Sequence, residues 1–146
     1  MNKISKIVIL LASLLLFASP AKANQDYGVE KVRFHSYLTH TRIVLELSGE
    51  VGYIVRDLIN PARLLINLYP AKLTSFERKI DIKDRFVRRL RLSQDSGHVT
   101  KVVLDLTNLE YTYNIFSLMD PRRLVIEVKS PRKDPIVDLL KPREFP

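Results

Sequence analysis

The strongest constraint on what this chain can fold into is that it writes one pattern twice. Thr41-Arg42-Ile43-Val44-Leu45-Glu46-Leu47-Ser48 is followed by Asn60-Pro61-Ala62-Arg63-Leu64-Leu65-Ile66-Asn67-Leu68. Thr100-Lys101-Val102-Val103-Leu104-Asp105-Leu106-Thr107 is followed in the same way by Asp120-Pro121-Arg122-Arg123-Leu124-Val125-Ile126-Glu127-Val128. Tyr53 matches Tyr113, Leu58 matches Leu118, and upstream Val32-Arg33-Phe34 matches Leu90-Arg91-Leu92. The offset between the copies changes only between these blocks, so insertions fall in connections and not within elements. Two half-domains of about four elements each fit a chain of 146 residues, one domain by the usual size of about 100–200.

Within each copy the apolar residues alternate with period two, the mark of strands with one buried face. Val32 and Phe34 point one way, Lys31 and Arg33 the other. Ile43, Leu45 and Leu47 face in; Arg42, Glu46 and Ser48 face out. Gly49 and Gly52 bracket a turn, then Tyr53 and Val55 share a face. Asn60-Pro61 breaks that strand, because proline lacks the ladder donor and restricts the residue before it. Leu64, Ile66 and Leu68 form the inward set of a fourth strand, with Arg63 and Asn67 outward, and Pro70 ends it. The second copy repeats each choice, with Leu90 and Leu92, then Val102, Leu104 and Leu106, then Tyr113 and Ile115, then Leu124, Ile126 and Val128 inward. Residues 72–84 join the halves, with Ile80 and Ile82 spaced for a short strand.

A one-sided sheet cannot stand in water alone, and packing two of them about 10 Å apart buries both apolar faces. The expected fold is all-β: a β-sandwich of two symmetry-related four-stranded sheets from an internal duplication, with halves 29–70 and 86–130. Whether each half forms its own sheet, or the halves exchange hairpins between sheets, is left open by the pattern.

The ends read differently. Lys3 and Lys6, the apolar run from Ile7 to Phe17, and Ala21-Lys22-Ala23 make residues 1–23 a secretory signal peptide. The apolar run is shorter than the roughly 20 residues a membrane-spanning helix needs, so no membrane span is expected after cleavage. Residues 24–28 are a polar lead-in. Residues 131–146, with Pro131, Pro135, Pro142 and Pro146, read as a proline-rich tail or linker, and Ile136 to Leu140 within it as unstructured. Loss of Lys3, Lys6 and Lys22 takes 24 Lys and Arg against 16 Asp and Glu to 21 against 16, so the net charge falls from +8 to +5. That excess suits an anionic polymer, although surface charge also sets solubility. There is no cysteine, which excludes disulfides and thiolate metal sites. Export without disulfides points to the periplasm or envelope of a bacterium.

The inventory for catalysis is small. His35, His40 and His98 lack the spaced acidic partners of a zinc site, which needs three protein ligands. There is no nucleophile elbow, P-loop or HExxH. Asp81 and Asp84 read as solvated loop carboxylates. No enzyme activity, cofactor or metal is expected. The run from Arg85 to Arg91 is the densest positive patch, with Arg89 and Arg91 on one face. Export argues against nucleic acid as its partner and leaves a wall polymer or an acidic protein face on one side, and a merely solvated sheet face on the other. Arg63 and Arg123 hold matching places after the two prolines. Either they form a twofold-related pair of forked donors for carboxylates or carbonyls, or each pairs with a cross-strand acid such as Glu46 or Asp105 and fixes the register.

Thr-Arg-Ile-Val-Leu-Glu-Leu, a tyrosine, then Leu-Ile-Asn-Pro-Ala-Arg-Leu-Leu-Ile-Asn-Leu together resemble the AMIN domain over roughly Val29 to Lys129. That domain stands at the front of bacterial N-acetylmuramoyl-L-alanine amidases and of type IV pilus secretins. The resemblance implies two symmetric four-stranded sheets and non-catalytic binding to peptidoglycan, which places a linked hydrolase or secretin at the wall, often at the division site. The chain stops at Pro146 without room for an amidase domain, so amidase activity is not carried over. Arg42, Arg63 and Asn60 match recurring family positions, with Lys101, Arg123 and Asp120 as counterparts. The expected function is a non-catalytic periplasmic module that binds and localises to the cell wall, with Arg42, Arg63, Lys101, Arg123, Arg89 and Arg91 as ligand-binding candidates. The expected partners are peptidoglycan and a cell-wall hydrolase or pilus secretin component. The rival expectation is a protein–protein adaptor in an envelope assembly such as a pilus secretin or divisome complex.

Overall fold

Alternating β-branched and leucine-rich segments separated by glycine and proline breaks give strands throughout. A computed structural model describes residues 26–75 and 77–131. Residues 1–25, with the expected signal peptide, and the tail from 132 onward, including Ile136 to Leu140, lie outside the described residues. The strands are β1 (Tyr27–Ser36), β2 (His40–Leu47), β3 (Gly52–Leu58), β4 (Arg63–Tyr69), β5 (Ala71–Leu73), β6 (Lys79–Asp81), β7 (Val87–Ser96), β8 (Val99–Leu106), β9 (Thr112–Leu118) and β10 (Arg123–Lys129).

They form two sheets, ordered β5-β1-β2-β10-β9 and β3-β4-β8-β7-β6. Leaving aside β5 and β6, the second order read backwards is the first with each strand replaced by its repeat counterpart. The all-β sandwich and its duplication therefore hold, and of the two arrangements the pattern allowed, the halves exchange hairpins. Each sheet centres on one strand from each copy. Ile43 meets Ile126 and Leu45 meets Leu124 across β2 and β10. Leu64 meets Leu104 and Ile66 meets Val102 across β4 and β8. All eight are fully buried, which places the most apolar strands where both neighbours shield them. The link from β2 to β3, residues 48–51, is long enough to cross between sheets about 10 Å apart.

Each sheet has five strands where four were expected. The connection between halves pairs on its way: Tyr27, Gly28 and Val29 run parallel to Ala71, Lys72 and Leu73, and Lys79, Ile80 and Asp81 run antiparallel to Arg91, Leu90 and Arg89. Backbone donors near a core are rarely left unpaired, and these edges supply acceptors. Pro70 ends β4 as expected, but Ala71 N–H donates to the His98 carbonyl and pairing resumes at once. For the same reason β1 begins at Tyr27, inside the segment expected to be an unpaired lead-in, where Gly28 N–H donates to Ser48 Oγ at 2.7 Å. Gly49 makes room for this start: a Cβ there would lie 1.9 Å from the Tyr27 ring.

Candidate ligand-binding faces

Core-facing residues leave their neighbours on the two outer surfaces, where the register sets them in rows. On the first sheet Lys31, Glu46, Arg123 and Leu118 lie abreast, then Arg33, Val44, Val125 and Phe116, then His35, Arg42, Glu127 and Asn114. On the second, Arg89, Asp105, Arg63 and Leu58 lie abreast, then Arg91, Val103, Leu65 and Arg56, then Ser93, Lys101, Asn67 and Ile54. Each face thus has an apolar middle, which the sequence reading of a polar outer surface missed. Val125 is 2% exposed although it lies outside the core cluster. Long arginine stems beside such residues cover apolar area while their heads stay wet.

The six candidate cations divide between the faces. Arg42 and Arg123 lie on the first sheet; Arg63, Lys101, Arg89 and Arg91 on the second. Four of them are held by acids. Arg42 donates from Nε and a terminal nitrogen to Glu127 at 2.9 and 2.6 Å. Arg89 meets Asp81 at 2.6 Å, Arg91 meets Asp105 at 2.6 Å, and Lys101 meets Asp95 at 3.0 Å. Arg63 and Arg123 make no ion pair among the described residues. Register does set Arg63 opposite Asp105 and Arg123 opposite Glu46. Those carboxylates are taken from the diagonal, Asp105 by Arg91 and Glu46 by Arg33. Arg123 Nε donates to the Pro121 carbonyl at 3.2 Å, and Arg63 Nε is buried without a partner. Lying on opposite outer faces, the two arginines do not converge on one ligand.

Two of the histidines flank one tyrosine and the third lies elsewhere. His40 stacks on Tyr37 with ring centroids 4.4 Å apart, His35 tilts against the same ring, and the Arg42 guanidinium lies 5.4 Å from its centre. His98 Nδ1 is 2.6 Å from Asp26.

Asp84 is not the solvated loop carboxylate expected. It accepts from Ser36 Oγ and Thr41 Oγ1, each at 2.6 Å, and from the backbone N–H groups of Phe86 and Val87 at 2.9 and 2.8 Å. Burial alone would raise its pKa, but these four donors outweigh burial and hold it below the usual 3.8. It ties the start of β7 in one sheet to the tip of β1 and β2 in the other. Asp26 stands at the matching place before β1 and reaches Lys72 at 2.9 Å and His98 just before β8. Lys72 first, then His98, lower its pKa. Asp81, by contrast, is exposed and pairs with Arg89, as a surface carboxylate would.

A third feature lies where the edge strands β3 and β9 face each other between the sheets. Tyr53 Oη donates to the Ile115 carbonyl at 3.5 Å, and Tyr111 Oη donates to Asp57. Beyond them opens a groove of about 580 Å³ bounded by Asp57, Leu58 and Ile59 on one side and Leu109, Tyr111 and Tyr113 on the other. Burial first, then the Asp57 carboxylate, push the Tyr111 phenol well above its ordinary value of 10.0. No sequence motif marked this groove; its walls come from turns and strand ends that the repeat leaves unequal.

The AMIN domain model matches residues 31–128, two thirds of the chain. The chain belongs to the AMIN family. AMIN is a non-catalytic domain, known in cell-wall amidases and secretins and typically periplasmic, which makes this chain's AMIN domain consistent with a periplasmic localisation module. No curated protein matches the chain. Among the described residues of this AMIN domain, no helix is long and apolar enough to cross a membrane.

Proposed function

We propose that this AMIN domain binds peptidoglycan through its two outer faces and thereby localises a cell-wall hydrolase or a pilus secretin component. The observation that carries this reading is the state of Arg63 and Arg123, one on each face, with the acid opposite each already paired to another arginine. Such guanidiniums keep forked donors for the carboxylates and carbonyls of stem peptides. Lys79, Arg89, Arg91, Lys101, Arg63 and Arg56 outnumber Asp81, Asp95 and Asp105 on the second sheet, which favours an anionic polymer there. Two faces with weak sites gain retention from the many repeats of one polymer.

Sedimentation with purified insoluble peptidoglycan tests the proposal. The chain lacking residues 1–23 is expected in the pellet at low salt and is progressively released as salt rises. A protein left wholly in the supernatant at low salt defeats it. The adaptor reading rests on a different observation: β3 and β9 are both sheet edges, and Ile54 on β3 is 49% exposed. Strand addition by a partner would use those edges, and cross-linking from Ile54 in cells would then recover one protein.

A further inference from the structure

The groove between β3 and β9 and its repeat counterpart have become different objects. The counterpart replaces Leu58 by Leu118, Ile59 by Met119, Asp57 by Ser117 and Tyr111 by Val51, and it holds about 70 Å³. Glu50 and Arg122 come within 3.6 Å of each other beside it. The open groove has the size and the mix of apolar wall with few polar groups that small-ligand sites show, about 300–1,000 Å³.

We infer that this open groove is a saccharide subsite that takes one uncharged N-acetylated hexosamine ring of a glycan strand, an assignment that rests on the wall-binding reading for the source of its sugar. The walls supply what such a ring needs. Tyr113, 38% exposed, lines the groove and supplies an aromatic side chain of the kind on which the axial C–H face of a pyranose stacks. Ile59 and Leu109, 70% and 63% exposed, give an apolar seat that an acetamido methyl fills and a plain hydroxyl does not. Asp57 spends one oxygen on Tyr111; its other oxygen has no hydrogen bond among the described residues and accepts from sugar hydroxyls.

Charge decides which part of the wall fits. No cation pairs with Asp57 among the described residues, so its carboxylate repels the acidic stem peptide and favours a neutral ring. The cation-rich outer faces have the opposite preference. One polymer is thereby met in two chemistries, sugar at the seam and peptide on the faces.

Titration of the 15N-labelled protein with tetra-N-acetylchitotetraose, with cellotetraose as control, reads the assignment. Chitotetraose is expected to shift the amides of Asp57, Ile59, Leu109 and Tyr113, and cellotetraose to act at least about tenfold more weakly, a ratio worth about 1.4 kcal/mol. Leu109→Asp, in an exposed turn, is expected to weaken chitotetraose about tenfold or more with an unchanged melting temperature, and Met119→Asp in the counterpart groove to leave it intact. Pelleting with peptidoglycan but no groove shifts overturns the subsite and spares the wall reading. Groove shifts without pelleting spare the subsite and sink the wall reading. Groove shifts from a free stem peptide, and none from chitotetraose, also overturn the subsite.

Discussion

The guanidinium of Arg91 lies 2.6 Å from Asp105 although the residue directly across the ladder from Asp105 on that side is Arg89. Arg33 repeats this diagonal with Glu46 on the other sheet, where Lys31 is the direct neighbour. The duplication has thus preserved one ion-pair geometry on two faces, and in both it takes the acid away from the arginine of the opposite strand.

Asp105 is 6% exposed and has Arg63 abreast of it as well as Arg91 on the diagonal. With Arg91→Ala, Arg63 is expected to take over the carboxylate and limit the loss of stability to under about 1 kcal/mol. Arg63→Ala is expected to cost as little. The double variant leaves the buried carboxylate only Arg89, which is already paired with Asp81, and should lose about 1 kcal/mol more than the sum of the singles. Urea unfolding of the four proteins measures this coupling.

Wall binding has the reverse pattern. Arg63→Ala or Arg123→Ala alone should reduce the pelleted fraction moderately, because the other face still holds the polymer. Both together should nearly abolish pelleting, as expected when two attachments reinforce each other. The melting temperature of the double variant should move by no more than a few degrees. A large fall in melting temperature with pelleting intact would show that these arginines brace strands.

Asp84 joins the two sheets through four donors, so Asp84→Ala is expected to cost about 2–3 kcal/mol. The carboxyl has a lower pKa folded than unfolded, so its stabilisation is complete above the ordinary 3.8 and is lost as pH falls through the folded value. The difference in unfolding free energy between the natural protein and Asp84→Asn should be flat from pH 7 to 5 and shrink below about pH 4.

Tyr111 should ionise well above the ordinary phenol value of 10.0. In an alkaline absorbance titration, one tyrosine's share of the tyrosinate signal is expected well above pH 10, and Tyr111→Phe should remove it. Asp57→Asn should bring that step to lower pH, since the carboxylate opposes formation of a second negative charge beside it.

Much of this architecture was legible in the residues. Period-two alternation identified the inward sets from Ile43 to Val128, and the repeated Asn60-Pro61 and Asp120-Pro121 turns separated the last two strands of each half, because these are local properties of a chain with one buried face. The lengths of the pairing edges were not legible: Ala71–Leu73 carries no strand signal of its own and pairs only because β1 lies beside it. The six candidate cations were visible as outward residues, but which of them keep free donors depended on the diagonal reach of Arg33 and Arg91.

The sequence by itself determined that two copies of a β unit must bury one face each, since hydrophobic periodicity needs no knowledge of distant neighbours. Only the tertiary structure decided that the copies exchange hairpins, that Asp84 clasps the opposite sheet, and that Asp57 and Tyr111 frame one large groove while Ser117 and Val51 leave a much smaller one. Those outcomes depend on contacts between residues far apart in the chain, and such contacts are set by how the sheets pack.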